Sequence, residues 1–168
     1  MNKYLWTWTL WIALAAAIIT TLYLFTGLSV YNLSWMAFVS VPIYFGGGAK
    51  VEEFPHYFCS AAIGVVWGWL ILKGAVILIT AGLIVPIAMG IAVLIGAFLA
   101  VGIHMIPLGN TWFGKVPMVF GGSACAFATG GQHLIPVIIT LAAGLVLGVL
   151  ITLGGNFLQK HVFVDLES

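Results

Sequence analysis

The sequence predicts an all-α polytopic membrane protein with about six transmembrane segments, arranged as two inverted-topology repeats of three with discontinuous second and fifth segments. Composition is the first reason: 63% of residues are hydrophobic, 5% are charged and mean hydropathy is +1.22, which suits lipid as the solvent. Length is the second, because 168 residues at about 20 per spanning helix allow about six or seven segments and no extramembrane domain. An internal repeat is the third.

The repeat consists of two apolar runs that pass through Pro and reach Phe-Gly-Gly. They are Val41-Pro42-Ile43-Tyr44-Phe45-Gly46-Gly47-Gly48 and Val116-Pro117-Met118-Val119-Phe120-Gly121-Gly122-Ser123. Asn32-Leu33-Ser34-Trp35 introduces the first run, and Asn110-Thr111-Trp112 introduces the second. Interrupted apolar segments at matching positions of two halves indicate a solute-binding site. The alternative is that these glycines only allow close packing of helices.

The first repeat is predicted to cover about residues 5–74. Helix one runs from Leu5 to Thr26, with tryptophans at its start where a membrane interface lies. Segment two, from Leu33 to Phe45, is roughly 20 Å long as a helix, which is short of a hydrocarbon core of about 30 Å. Segment three begins near Pro55, a favourable first-turn residue, and ends at Leu72 before Lys73-Gly74.

The second repeat is predicted to cover about residues 75–156. Segment four extends from Ala75 to Ile103 and is kinked or broken near Pro86. Segment five, from Trp112 to Thr129, repeats segment two, and segment six, from Leu134 to Leu153, repeats segment three.

Orientation follows from the odd number of segments in each half, because the halves then enter the membrane from opposite sides. Lys3, Lys50, Lys115 and Lys160 fall on one side and Lys73 on the other, which predicts that both termini are cytoplasmic. The amino-terminal run has no small-residue cleavage site before it ends, so it is interpreted as a retained helix. Residues 1–168 form a single transmembrane domain, with 157–168 as a cytoplasmic tail.

The candidate pore or substrate-binding residues lie at the two interruptions. Phe45 and Phe120, which precede the glycines, are candidates for a narrow apolar constriction that passes uncharged molecules, or alternatively for core packing. The full set is Phe45, Gly46, Gly47, Gly48, Phe120, Gly121, Gly122 and Ser123, with Trp35 and Trp112.

A polar cluster follows the first interruption and supplies the candidate gating or proton-linked residues. Lys50, Glu52, Glu53 and His56 lie close together in the sequence, and ionisable groups near lipid are usually functional. The repeat sets Gln132-His133 opposite Glu52-Glu53, and the two histidines are expected to approach one another across a pseudo-twofold axis. The alternatives are a solvated loop for the charges and a capping role for each histidine.

Enzyme activity is not expected. The sequence has no His-Glu-x-x-His, no Gly-x-Ser-x-Gly and no phosphate-binding loop with its Ser or Thr. Cys59 and Cys125 are isolated in apolar runs, which fits packing residues rather than a bridge or a metal site. No cofactor, no metal and no nucleic-acid partner are predicted.

Several motifs resemble the YcdZ-like bacterial inner-membrane family, a domain of unknown function. They are Leu33-Ser34-Trp35-x-x-Phe38, Gly64-Val65-Val66-Trp67, Phe120-x-Gly122-x-x-Cys125-Ala126-Phe127-Ala128, and Leu134-x-Pro136 before Leu141-Ala142-x-Gly144-Leu145. The resemblance covers most of the chain and implies a bacterial inner-membrane location and a compact polytopic fold. It implies no activity.

Three functions are compatible with these patterns. The first is a channel or facilitator for an uncharged small solute of the urea, amide or small-alcohol type, with its pore at the paired Phe-Gly-Gly breaks. The second is a proton-coupled transporter of a small amine or carboxylic acid, and the third is a non-transporting membrane partner. The expected partners are the lipid bilayer, the solute and other copies of the chain, with a homotrimer favoured.

Overall fold

The computed structural model describes residues 2–162, and this part of the chain is helical without strands. The six α-helices are α1 (Asn2–Leu24), α2 (Ala37–Gly46), α3 (Phe54–Thr80), α4 (Val85–Met105), α5 (Val116–Ala128) and α6 (Leu134–His161). Short 3₁₀ turns occupy Gly27–Tyr31, Ser34–Met36 and Val51–Glu53. Four helices, α1, α3, α4 and α6, are long and apolar enough to cross a membrane, while α2 and α5 are shorter. The predicted all-α class is therefore confirmed, and the fold is compatible with a membrane protein.

The long helices α3 and α6 form the centre of the bundle and pack against each other. Helix α3 also carries α4 and α5, and α6 also carries α1 and α2. The core between them contains two fully buried tyrosines, Tyr44 of α2 and Tyr57 of α3, whose rings meet edge to face with centroids 5.3 Å apart. Two serine hydroxyls join short helices to long ones: Ser40 donates to the carbonyl of Leu141 and Ser123 to that of Gly64, each at 2.8 Å.

The bundle has two ends, which are named here by a loop residue at each. The Lys50 end holds the start of α1, the end of α2, the start of α3 and the last turns of α6, since a single pocket is lined by Tyr4, Lys50 and Asn156. The Gly131 end holds the start of α6 and the last turns of α3, because Gly131 lies against the side chains of Leu72 and Trp69.

Segment three extends further than the sequence predicts. Helix α3 passes through Lys73-Gly74 and ends at Thr80. The ammonium of Lys73 lies 5.9 Å from the Trp69 ring centroid, so this lysine is accommodated on the helix surface. Just after the helix, the chain turns at Gly82, whose φ is +101°. The N–H of Leu83 donates to the carbonyl of Leu78, which completes a Schellman-type cap.

The turn that follows this cap leads into α4, which begins at Val85. Pro86 lies in the first turn of α4, so the predicted interruption is a helix start and not a kink. At the other end of the chain, the predicted tail of 157–168 begins inside α6, which continues to His161. Residues 163–168 of that tail lie outside the described part of the chain.

The second Phe-Gly-Gly motif is not a helix break, and this prediction was wrong. Phe120, Gly121, Gly122 and Ser123 lie inside α5, which is continuous from Val116 to Ala128. A Cβ on Gly122 would meet the backbone carbonyl oxygen of Ala61, so this glycine allows α5 to approach α3 closely. The packing interpretation therefore holds for the second motif.

The ends of α2 and α5 have similar caps. At the end of α2, the N–H of Ala49 donates to Tyr44 at 3.1 Å, and Gly48 has a φ of +96°. At the end of α5, the N–H of Gly131 donates to Ala126 at 2.8 Å, and Gly130 has a φ of +61°. Phe45-Gly46-Gly47-Gly48 and Phe127-Ala128-Thr129-Gly130 thus occupy similar positions in the two caps.

Glycines of the long helices α3 and α6 contact the short helices in a similar way. A Cβ on Gly64 of α3 would meet the carbonyl oxygen of Val119, and a Cβ on Gly144 of α6 would meet that of Ala37. Four residues further along, Gly68 lies against Ala126 and Gly148 lies against Tyr44. Glycines therefore allow α5 to approach α3 and α2 to approach α6.

Candidate functional site

The first glycine run forms the end of α2, and its last member, Gly48, lines a pocket. Gly46 is the last helical residue, Gly47 caps the helix and Gly48 turns the chain. Gly47 lies against the Tyr57 hydroxyl, where a Cβ would collide with it, and nothing lies within 4 Å of a Cβ on Gly46. Phe45 is half-buried and packs against α1 and α6. These four residues thus lie at the Lys50 end of the bundle.

The pocket at this end has a volume of about 380 Å³ and lies between α1, α2 and α6. Its lining mixes aromatic rings, backbone and polar side chains, whereas the outer surface of the helices is apolar. Ligand pockets commonly have volumes of about 300–1,000 Å³, so its size suits a small molecule. The lining residues are Tyr4, Trp8, Phe45, Gly48, Ala49, Lys50, Val51, Glu52, Thr152, Gly155 and Asn156.

Two polar residues of α6 face the pocket, Thr152 and Asn156. They are four residues apart and therefore lie on one face of the helix. The Thr152 hydroxyl donates to the carbonyl of Gly148 at 3.1 Å, which leaves its oxygen as an acceptor. Behind Thr152, the Tyr44 hydroxyl is fully buried and lies near Thr152 without hydrogen-bond geometry.

Of the two predicted acidic residues, only Glu52 lines the pocket. Glu53 instead forms an ion pair with Lys115 at 2.7 Å, with about a quarter of each side chain exposed (26% and 30%). The Lys115 ammonium also lies 5.0 Å from the Tyr57 ring centroid, and its backbone N–H donates to the Ser60 hydroxyl at 3.1 Å. These contacts fasten the loop before α5 to the start of α3.

The two predicted histidines do not approach each other. His56 lies at the start of α3, 6.4 Å from the Trp112 ring by centroids, and its Nδ1 is buried without a hydrogen-bond partner in the described residues. His133 lies at the Gly131 end, exposed, with its ring 4.6 Å from that of Tyr31. The start of α3 packs beside Val149, which is roughly 24 Å along α6 from His133 at the usual helical rise. The proposed pairing across a pseudo-twofold axis was therefore wrong.

The remaining predicted residues lie away from the pocket. Gln132 is exposed in the turn before α6. Trp35, Trp112 and Phe120 are 51%, 60% and 53% exposed, so none of them lines a buried constriction. Phe45 is half-buried on α2, and Phe120 points outward from α5, so the two rings do not form the predicted pair of constricting rings. Ser123 is buried and bonds α5 to α3.

Sequence reasoning missed the contribution of α6 to the pocket. Thr152 and Asn156 are polar residues at helical spacing inside an apolar run, and this spacing was the available signal. It also missed His104, which is buried between Trp67 and Phe113 and bonds to both. The local sequence of His104 does not indicate the contact with Trp67, because the packing of α3 against α4 brings these two residues together. The contact with Phe113 comes from the loop before α5.

No cluster of three or more His, Cys, Asp or Glu capable of holding a metal occurs within residues 2–162. Cys59 and Cys125 are free thiols.

The helices and the pocket define the class of this protein as an all-helical bundle with several helices of membrane-spanning length. The chain belongs to the family described as protein of unknown function (DUF1097), whose model matches residues 9–156. Neither a curated protein nor a solved structure matches the chain. The expectation of a family of unknown function is thus confirmed, and the YcdZ-like name stays a prediction.

Proposed function

We propose that this protein is a membrane facilitator for a small solute without net charge, and that the pocket at the Lys50 end is where the solute binds. The observation that carries the proposal is a polar pocket of about 380 Å³ at the end of a short apolar helix, in a bundle whose surface is otherwise apolar. Thr152 and Asn156 interrupt the apolar sequence of α6 at this pocket, so the bundle offers hydrogen-bonding groups to a small molecule there. The proposed site lies at the first glycine run and not at the second Phe-Gly-Gly motif, which lies inside α5.

The proposal includes an inverted-topology repeat of α1–α3 and α4–α6. It is supported by matching helix lengths of 23, 10 and 27 residues against 21, 13 and 28, and by the matched caps of α2 and α5. Inverted repeats allow one half to rock against the other, which exposes a site to each side of the membrane in turn. A pocket at one end of the bundle fits the state in which the site is exposed to one side of the membrane.

We further propose that the Lys50 end faces the cytoplasm of a bacterial inner membrane, with both termini on that side. Four of the five lysines, at 3, 50, 115 and 160, lie toward this end, and cytoplasmic loops are enriched in lysine. A homotrimer remains part of the proposal, and light scattering of the purified protein with detergent mass subtracted tests it.

A second candidate is a proton-coupled transporter of a small amine or carboxylic acid. It is favoured by Glu52, an exposed carboxylate that lines the pocket, and by the unpartnered Nδ1 of nearby His56. His133 has no part in this version, because it lies at the opposite end of the bundle.

Stopped-flow light scattering of proteoliposomes with urea, acetamide, glycerol, methylammonium and β-alanine, which carries no net charge, at two pH values tests both candidates. A facilitator gives fast flux of a neutral solute that does not depend on pH, whereas proton coupling gives uptake that does. Asn156→Trp fills the pocket and is expected to abolish the flux. The matched control is Gln159→Trp, an exposed position on the same helix outside the pocket, which is expected to keep it. Wild-type flux in Asn156→Trp, or no flux of any solute, contradicts the proposal.

A further inference from the structure

We propose that the pocket at the Lys50 end selects a small zwitterion, with the anionic group of the ligand beside Lys50 and Asn156 and the cationic group beside Glu52 and Thr152. This inference rests on the proposed function, because it names the class of solute for the same pocket. The lining carries two charged side chains, Lys50 and Glu52. Lys50 and Glu52 both line the pocket, and each is separated from an opposite charge by more than an ion-pair distance in the described part of the chain.

Charge balance is the first argument. The pocket presents one ammonium and one carboxylate, so its lining has no net formal charge but has opposite charges at separate points. A ligand with one charge would satisfy one of these groups and repel the other. A ligand with both charges satisfies both, and charge-assisted hydrogen bonds are about twice as strong as neutral ones.

Hydrogen-bonding capacity divides the lining in the same way. The Thr152 hydroxyl donates to Gly148, so its oxygen remains as an acceptor for an ammonium, as does the Glu52 carboxylate. Helix α2 ends at this pocket, and the partial negative charge of a helix C-terminus also favours a cation. Lys50 offers only donors, and the Asn156 amide has two N–H donors besides its carbonyl acceptor, so its donors can complement an anionic group beside Lys50.

The opposite end of the bundle is an internal control for this argument. Leu72 and Val76 stand one repeat before Thr152 and Asn156, by the same shift that matches Gly64 and Gly68 to Gly144 and Gly148. The loop there contains Gly130 and Gly131, and Gly131 lies against the apolar side chains of Leu72 and Trp69. The same fold is thus filled by apolar groups at one end and opens into a polar pocket at the other. The polar lining is not a consequence of the fold.

Equilibrium binding of radiolabelled β-alanine to the protein in nanodiscs tests the inference. Propionate, ethylamine and propionamide are matched competitors that carry only the negative charge, only the positive charge or neither. We expect β-alanine to bind at least about tenfold more tightly than any of the three, which is the effect of one additional charged contact. Glu52→Gln and Lys50→Gln are each expected to remove this preference.

Two matched controls separate the pocket charges from charge in general. Glu53→Gln removes the neighbouring carboxylate, which is paired with Lys115 outside the pocket, and Lys73→Gln removes a lysine on the far half of α3. Both variants are expected to bind β-alanine as the wild type does. Equal binding of β-alanine and propionamide, or unchanged binding in both Lys50→Gln and Glu52→Gln, overturns the inference.

A zwitterionic lipid headgroup has the same chemistry as a free zwitterion, and the nanodisc composition distinguishes them. If the headgroup is the ligand, phosphatidylethanolamine discs will weaken β-alanine binding about tenfold relative to phosphatidylglycerol discs, and this difference will vanish in Lys50→Gln. If a free solute is the ligand, affinity will be equal in both. Solute flux that Asn156→Trp abolishes, without β-alanine binding, contradicts this inference and leaves the facilitator proposal intact. β-Alanine binding without flux of any solute contradicts the facilitator proposal and leaves the zwitterion inference intact.

Discussion

The indole N–H of Trp67 donates a hydrogen bond to Nε2 of His104 at 3.1 Å. The other ring nitrogen, Nδ1, lies 2.7 Å from the carbonyl oxygen of Phe113, which can only accept, so Nδ1 carries the proton. His104 is 1% exposed, and both of its nitrogens are therefore satisfied inside the protein. The two hydrogen bonds join α3, α4 and the loop before α5, so His104 has a structural role.

Replacement of His104 by Phe is expected to destabilise the protein strongly. The substitution leaves the Trp67 N–H and the Phe113 carbonyl without partners inside a part-buried site, where a fully buried orphaned group would cost about 1–3 kcal/mol. The measurement is the unfolding temperature in detergent or nanodiscs. Trp67→Phe combined with His104→Phe removes one of the two orphaned groups, so the double variant should be less unstable than the sum of the single ones. Additive losses would contradict the direct bond.

Substitution of the close-packed glycines is expected to separate helices. Gly64→Val and Gly144→Val place side chains against the backbone carbonyls of Val119 and Ala37, and neither backbone can yield without moving a short helix. We expect a loss of stability of more than about 2 kcal/mol, as for overpacked sites. Gly46→Val is the control, because nothing lies within 4 Å of its Cβ. Equal unfolding temperatures in all three variants would contradict the packing.

The Glu53–Lys115 ion pair is expected to contribute modestly. A double-mutant cycle with Glu53→Gln and Lys115→Gln should give a coupling of up to about 1 kcal/mol, because the pair is partly exposed. The coupling should weaken as salt is raised from about 0.01 to 1 M, since screening lengths shorten from about 30 to 3 Å. A coupling that does not change with salt would indicate a pair shielded from solvent.

Glu52 and Gln132 are expected to face opposite sides of the membrane. They are exposed residues in the loops that precede α3 and α6, at opposite ends of the bundle. In a background with Cys59 and Cys125 replaced by Ala, an impermeant maleimide should label Gln132→Cys in intact spheroplasts. It should label Glu52→Cys only after permeabilisation. Labelling of both from one side would remove the proposed inverted repeat.

Thr152→Val is expected to reduce solute flux without loss of stability. The substitution keeps the shape of the side chain and removes the oxygen that faces the pocket, which should lower flux roughly fivefold, the value of one hydrogen bond. Thr129→Val is a matched control, because its hydroxyl bonds to the carbonyl of Ala126 at the Gly131 end. Reduced flux in both variants would place the effect outside the pocket.

Much of the fold was predictable from local signals. Hydropathy indicated apolar helices, Pro55 marked the first turn of α3, and the short second segment appeared as the ten-residue α2, whereas Pro86 was placed inside a segment although it lies in the first turn of α4. These features depend on residues within a few positions of one another. The end of α3 was misplaced, because Lys73-Gly74 carries the same composition as a helix end, whereas the chain turns at Gly82, where φ is positive.

The sequence by itself determined the all-helical class, the apolar surface and the position of one polar cluster after the first glycine run. Tertiary structure decided which glycines end helices and which allow helices to touch, because that distinction depends on the neighbour that a Cβ would meet. It also decided the site. Lys50 and Glu52 form a pocket only because α6 packs Thr152 and Asn156 beside them, and such contacts between residues about one hundred positions apart leave no local pattern in the sequence.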